Sequence, residues 1–541
     1  MSTSSNVTAL VHARAAAAPD RTALVTPEGA RAWERCSYRE LRERIDRTGR
    51  ALSRAGLRRG DRVCVFVEPG PAWVALVYGL FSIGALPVLI DPAMGRTGLL
   101  ACVERIRPRG FVGNALASAL KLAFARSFAS VEVSLVAGRL PVGGCTLASC
   151  FRADDGELEP EVVGAHESAA ILFTSGSTGP AKGVVYTHGM FRAQVAALAE
   201  MYSMRPGDVD VACFAPFALF GPALGLTTVL PRIDFSQPAR AEPANVVAAL
   251  REHSAVQTFG SPAIWKRVAP WASERGLTLP ALRRLMIAGA PVHAPLLEAC
   301  LSLLGPEGDV HTPYGATEAL PVSSASGREI LARHRDAMQS GSGNCLGRVA
   351  PGIEARVIRI TDEPIERWSD ARLAGPGEAG EIVVRGEQVT REYVFEPAHT
   401  ALAKIADGDV VWHRMGDVVR ADAEGRLWFL GRKSQRVETA SGTLFPVGIE
   451  NVFNVHPAIA RSALVGVGAP GAQRPVLVVE LISRVAPSSA LASEILARRG
   501  ACADAAAVER VLFHDSLPVD VRHNAKIDRA ALARWAEEQL A

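Results

Sequence analysis

Residues Ile171–His188 read ILFTSGSTGPAKGVVYTH. Ile171, Leu172 and Phe173 have the texture of a buried strand, and Val184, Val185 and Tyr186 resume one. Between them the chain is almost wholly Thr, Ser and Gly, closed by Pro180 and Lys182. A strand, a small polar loop and a second strand predict a hairpin that carries an anion site. Gly176, Gly179 and Gly183 let the backbone approach an anion and turn its N–H groups inward. The hydroxyls of Thr174, Ser175, Ser177 and Thr178 add donors, and Lys182 adds a positive charge. Those groups suit a triphosphate or pyrophosphate. A Walker A loop needs Gly-Lys-Ser/Thr ahead of a helix. Here Lys182 stands between Ala181 and Gly183, so that reading fails.

Outward from the hairpin, composition sets bounds. A chain of 541 residues has room for several domains, and 48% apolar with 21% charged residues is a globular balance. Lys plus Arg number 59 against 56 Asp plus Glu, which gives no ground for nucleic acid or an anionic membrane as partner. Nine cysteines are scattered, with no paired Cys-x-x-Cys set beside histidine, so a zinc site is not expected. The odd count and an N-terminus without an export pattern fit a reducing cytoplasm. Pro69–Ile90 carries no charge and is long enough to span a bilayer. Pro87 interrupts it, however, and Val63–Val67 ahead of it reads as a buried strand. The expected structure is strand, helix over Ala72–Ile83 and strand over Leu86–Ile90, a βαβ unit of a parallel sheet and not a transmembrane segment.

In chain order, Ala13–Leu24 reads as a surface helix ending at Pro19 and then a strand. Tyr38–Leu57 has helical spacing, with Leu41, Ile45, Thr48, Leu52 and Ala55 on one face. Val103–Ala137 alternates helix-like and strand-like pieces, Ala153–Glu161 is an acidic loop, and Met190–Met201 is a helix. Val211–Pro231 is uncharged and rich in Phe, Gly and Pro. It reads either as plain core or as the wall of an apolar tunnel, with Phe214, Phe217, Phe220 and Gly225 facing a lipid chain. Val256–Phe259 and Leu285–Ala288 read as strands. Gly289-Ala290-Pro291 then turns sharply at a strand's C-terminal end, where open α/β sheets place ligands.

His311–Glu318 repeats the pattern: Tyr314 offers a flat face, Gly315 and Ala316 a turn, Thr317 a hydroxyl, and Glu318 a hard oxygen for magnesium. Pro321–Gly343 reads as an insert with a helix over Glu329–Met338, either a surface excursion or a cover over a binding mouth. From Gly347 short strands and turns indicate an antiparallel β subdomain. Within it Asp417 and Arg432 are the polar residues that could reach a ribose, although a Gly-Asp pair alone suggests a turn. Beyond Arg432 the texture is a small α+β unit, with strands Ala463–Val467 and Val476–Ile482 and helices Ala490–Arg498 and Ala503–Arg510. Gly466–Gly471 matches G-x-G-x-x-G but opens no helix, so it is set aside. Lys526 sits on a polar loop before a last helix.

Together and in this order, over the whole chain, these motifs resemble the adenylate-forming superfamily of acyl-CoA synthetases, peptide-synthetase adenylation domains and luciferases. The resemblance implies an α/β fold with a large N-terminal domain of mixed layers plus a β subdomain over 1–432, and a small mobile α+β domain over 433–541 hinged at Lys433. By position, Thr174–Gly179 and Lys182 would hold the pyrophosphate end of ATP. Gly289-Ala290-Pro291 and Tyr314, with Gly315 and Ala316, would frame the adenine. Thr317 would meet the α-phosphate, Glu318 the Mg²⁺, and Asp417 and Arg432 the ribose. Lys526 would complete the adenylation site.

Three departures narrow the resemblance. The tail reads PVDVRHNAK with Ala525 before Lys526, no histidine stands in 214–225, and YGATEALPVSS at Tyr314–Ser324 is followed by a helical insert. All three resemble the olefin β-lactone synthetases of bacterial hydrocarbon biosynthesis. That resemblance implies a long-chain 2-alkyl-3-hydroxy acid as substrate, no coenzyme A, and a cytoplasmic setting. It also implies a hydroxy-acid-producing reductase and a β-lactone decarboxylase as partners. A medium- or long-chain acyl-CoA synthetase or fatty acyl-AMP ligase is the alternative. For the base of ring closure, His188, His311 and a phosphate oxygen all remain open.

Overall fold

The computed structural model describes residues 4–29, 32–91, 94–138, 140–152, 155–174, 181–519 and 527–541. The βαβ unit forms as the sequence predicts: Arg62–Phe66 and Leu86–Ile90 are parallel strands, joined by the helix Pro71–Ser82. A helix of this length spans about 18 Å, well short of a hydrocarbon core. It is apolar because it is buried all round. Its Gly79 meets Gly49 of the helix Tyr38–Arg54: a methyl group on Gly79 would crowd the Gly49 backbone, and one on Gly49 would strike Leu158. Among the described residues no helix is long and apolar enough to cross a membrane. The helix Tyr38–Arg54 starts where Ser37 accepts from Glu40 N and Glu40 accepts from Ser37 N, a capping box written as SYRE.

These strands belong to a seven-stranded sheet whose order across the sheet is Cys145–Thr146, Val133–Val136, Gly110–Gly113, Arg62–Phe66, Leu86–Ile90, Ser168–Thr174, Lys182–Thr187. All pairs are parallel except the last, which is the expected hairpin, with Phe173 opposite Gly183. A fourteen-stranded sheet faces it. Its parallel middle includes Val209–Ala212, Gln257–Gly260, Arg284–Ile287 and Asp309–Ala316. The core between the sheets takes Val63, Val112, Ala170 and Tyr186 from one and Leu24, Ala212 and Met286 from the other. The fold is α/β, as read from the sequence.

Some readings need correction. The N-terminal helix runs Thr8–Ala17 and buries Val11 and Ala15, so it is a core helix and not a surface one. The insert is shorter than expected. Ala319–Ser326 is a strand inside the large sheet, paired to Asp309–Ala316 on one side and Asn344–Val349 on the other. Its serines disguise it, because Ser323 is fully buried there. Only Gly327–Ser342 is helical, and it includes two π turns. The antiparallel β subdomain forms as read, and Asn344–Val349, which pairs with Leu427–Arg432, joins it to the large sheet. The expected helix Ala503–Arg510 is only Ala503–Ala506, and Arg510–Phe513 is a third strand.

After Arg432 the chain builds its own sheet of Ile459–Val467, Arg474–Leu481 and Arg510–Phe513, with an apolar cluster of its own around Phe453 and Leu477. Its helix Pro446–Asn454 rests on the end of the insert. Asn451 Nδ2 donates to Asn344 Oδ1 at 2.9 Å, and Gly448 packs against the Gly341 carbonyl with no room for a methyl group.

Candidate active site

The hairpin loop itself, Ser175, Gly176, Ser177, Thr178 and Gly179 with Pro180, lies outside the described residues, as does Lys526. The hairpin's frame is described. Thr174 ends the first strand opposite Lys182 at the start of the second. Gly183 has a packing role and does not turn toward an anion. The segment around Tyr393 bridges to Val184, Val394 N donates to Gly183 O at 2.8 Å, and a side chain on Gly183 would strike Val394.

Tyr314–Glu318 is the turn of an antiparallel hairpin, with a bulge between Tyr314 and Ala316. A Cβ on Gly315 would press on the Ala319 carbonyl, so the turn needs glycine there. Two outside groups hold the turn. Tyr186, from the second strand of the phosphate hairpin, donates to the Thr317 carbonyl at 2.6 Å, and Thr390 N donates to the Glu318 carbonyl at 2.8 Å. The Glu318 carboxylate accepts from Tyr393 Oη at 2.8 Å.

Asp417 is no turn residue. It lies within the strand Val410–Ala421, 4% exposed, directly opposite Arg432 of the neighbouring strand. Arg432 Nε sits 3.0 Å from one of its oxygens, and Tyr314 Oη donates to the other at 2.6 Å. Burial raises the Asp417 pKa, opposed by the Arg432 charge and the Tyr314 hydrogen bond. Burial and the Asp417 charge together push the Tyr314 phenol well up, which keeps it a donor. Gly289-Ala290-Pro291 leaves the strand Arg284–Ile287, the parallel neighbour of Asp309–Ala316, with Gly289 at φ +99°. That left-handed bend favours glycine. The turns after two adjacent parallel strands therefore share one sheet edge, where ligands of such sheets bind.

Several residues of this site carried no sequence signal. Tyr393, Thr390 and Lys404 belong to no motif, and only their contacts reveal them. Lys404 is 8% exposed, donates to the Thr390 hydroxyl at 3.0 Å and to its carbonyl, and lies 5.9 Å from the Tyr393 ring centroid. Burial lowers its pKa to about 7 against the pull of the Glu318 charge. Its strand partner His413 is buried too, and its pKa is driven down first by burial and then by Lys404.

The aromatic row forms as a stack inside the core. Phe217 lies 4.0 Å from Phe259, nearly parallel, and Phe214 and Phe220 flank it. Phe220 also lines a small cavity of about 10 Å³ with Tyr78, Phe81 and Phe191, room for about one water. Gly225 caps the helix Phe217–Leu224 at φ +85°, and a side chain there would meet Pro206 and Arg14. Lys433 follows the last strand of the large sheet and is tied down. Its ammonium lies 3.2 Å from Glu381, which is 1% exposed, and donates to the Thr361 carbonyl at 2.9 Å.

His188 fails as a base. It is 1% exposed and its Nδ1 accepts from Val7 N at 3.2 Å. Burial lowers its pKa to about 4, from 6.5. A group depressed in the folded state stabilises fully above its unfolded pKa and loses that stability as pH falls through the folded one. His188 therefore contributes up to about 3 kcal/mol that is lost between pH 6.5 and 4. In urea titrations His188→Gln is expected to flatten the stability loss over that window. An unchanged slope would show that the histidine does not titrate there.

Residues 11–394 match the family of AMP-binding enzymes. The chain belongs to that family. The AMP-binding enzymes it resembles include the olefin beta-lactone synthetase of Stenotrophomonas maltophilia (strain K279a), 43% identical over 99% of this chain and 98% of the relative. The olefin beta-lactone synthetase of Xanthomonas campestris pv. campestris is 42% identical over 100% of this chain and 99% of the relative. Among solved structures, ATP-bound MatB from Rhodopseudomonas palustris shares the fold, with a TM-score of 0.80 at 21% identity, covering 99% of this chain and 100% of that one.

Proposed function

We propose that this enzyme uses ATP to activate a long-chain 2-alkyl-3-hydroxy acid as its acyl adenylate and then closes that adenylate to a β-lactone, releasing pyrophosphate and AMP without coenzyme A. The observation that carries this reading is identity of 42–43% with olefin beta-lactone synthetases over nearly the full length. The site geometry supports the first half. Asp417 and Arg432 would meet the ribose and Tyr314 the base, while Lys182 and Glu318 would meet the phosphates.

The substrate carboxylate is an anion that must attack another anion, so the residues' first task is charge. Among the described residues no three acidic, histidine or cysteine groups cluster to hold a metal. A single carboxylate, Glu318, nonetheless suits magnesium, which keeps waters and takes its remaining ligands from phosphates. Magnesium bound there would neutralise phosphate charge. Lys182, and Lys526 brought in by the small domain turning about Lys433, would complete that neutralisation as the carboxylate attacks the α-phosphorus in line.

In the second half the substrate's own 3-hydroxyl attacks the activated carbonyl, and the four-membered ring closes with AMP leaving. The enzyme's part is to hold oxygen and carbon about 3 Å apart and exclude water. With His188 excluded, His311 or a phosphate oxygen remains to take the proton. The alkyl chains would enter along Phe214, Phe217 and Phe220, whose rings would have to turn to open the space. Such an enzyme works in the cytoplasm, between a reductase that supplies the hydroxy acid and a decarboxylase that consumes the lactone.

ATP–pyrophosphate exchange tests the adenylation half. Exchange is expected only with a long-chain acid present. Because each buried methylene is worth about 0.8 kcal/mol, the acid's KM should fall about fourfold per carbon until the space is full. Exchange independent of acid, or none at all, would overturn the reading.

A further inference from the structure

Lys182 and Glu318 come from different sheets and carry opposite charges, and the adenylation reading assigns both to the phosphates, yet they form no ion pair with each other. Tyr393 lies between them. Its hydroxyl donates to Glu318 Oε1 at 2.8 Å, and Lys182 Nζ lies 5.2 Å from its ring centroid. The tyrosine is 7% exposed and fixed from behind. Its backbone bridges to Val184 beside Lys182, the next residue's N–H donates to Gly183, and the Lys404 ammonium also lies against the ring. Lys404 in turn binds Thr390, whose N–H holds the Glu318 carbonyl. One short segment, Thr390–Val394, therefore grips the end of the phosphate hairpin and the Glu318 turn together.

A lysine on a four-carbon stem beside a carboxylate would ordinarily swing to pair with it, which would withdraw both charges from a ligand. A ring between them supplies an attractive face for the ammonium and a phenolic donor for the carboxylate. We propose that Tyr393 is a positioning residue that keeps Glu318 and Lys182 apart and aimed at one triphosphate, its hydroxyl setting the carboxylate and its ring setting the ammonium. This rests on the adenylation reading above, and it separates two roles within one side chain.

The test compares wild type, Tyr393→Phe and Tyr393→Leu. Calorimetry measures ATP affinity with EDTA present, and ATP–pyrophosphate exchange is followed as Mg²⁺ is titrated at saturating ATP. Tyr393→Phe keeps the ring and loses the hydroxyl. Its metal-free ATP affinity is expected to match wild type, while the Mg²⁺ midpoint rises by about fivefold and the rate recovers at high Mg²⁺. Tyr393→Leu loses the ring as well, and its metal-free ATP affinity is expected to fall by about threefold. If Tyr393→Phe has a Mg²⁺ curve that overlays wild type, or if its affinity for ATP falls equally with and without metal, the proposal is wrong. Thermal melts identify a leucine variant that does not fold, and the phenylalanine comparison then decides alone. Wild type that shows no exchange would overturn the adenylation reading. Wild-type exchange with an unmoved phenylalanine curve would overturn only the role of Tyr393.

Discussion

Lys526→Ala is expected to slow acyl-adenylate formation by about a thousandfold while leaving the affinity for ATP within about twofold of wild type. The groups assigned to nucleotide binding, Lys182, Tyr314, Asp417 and Arg432, all precede the small unit that carries Lys526, so they still hold ATP when that lysine is gone. What would be lost, on the proposed mechanism, is a charge that meets the α-phosphate as its bond to pyrophosphate breaks. An interaction realised only in the transition state changes the rate and not ground-state binding. Single-turnover trapping of the adenylate with hydroxylamine, beside calorimetry of ATP, separates the two quantities. Near-normal turnover in the variant would remove Lys526 from the mechanism. A collapse of ATP affinity would make it a binding residue.

Much of this molecule is legible in the chain because its signals are local. The strands and helix over Arg62–Ile90 and the hairpin around Lys182 follow from apolar runs interrupted by glycine, proline and hydroxyl residues. The turn at Tyr314–Glu318 is legible for the same reason, since Gly315 fits where no other residue does. Contacts between distant segments are not local and are not legible. Asp417 reads as a residue that could reach a ribose although its Gly-Asp pair alone suggests a turn, and only its strand partner Arg432 and the far hairpin's Tyr314 show it to be buried and paired. Tyr393 and Lys404 matter through partners in two different sheets, which no spacing along the chain encodes. The strand Ala319–Ser326 escapes notice because its buried positions are Ala319, Pro321, Val322, Ser323 and Ala325, with one valine among them. Gly225 has a local reason of its own, because it caps the helix Phe217–Leu224 in the left-handed region.

The ring-closing step distinguishes this reading from a thioester-forming one, and a single product analysis addresses it. The acyl adenylate is a mixed anhydride, and AMP is its leaving group whichever nucleophile arrives. With a 3-hydroxyl on the same molecule, attack is intramolecular, and holding the chain folded supplies the orientation that offsets ring strain. The enzyme is incubated with ATP, Mg²⁺ and a long-chain 2-alkyl-3-hydroxy acid, with and without coenzyme A, and the lipid products are resolved by mass spectrometry. The expected product is one water lighter than the acid, formed equally in both incubations and accompanied by AMP and pyrophosphate, while the matched acid lacking the hydroxyl stalls as enzyme-bound adenylate. A thioester that appears only when coenzyme A is added, with no dehydrated product in either incubation, would contradict the account.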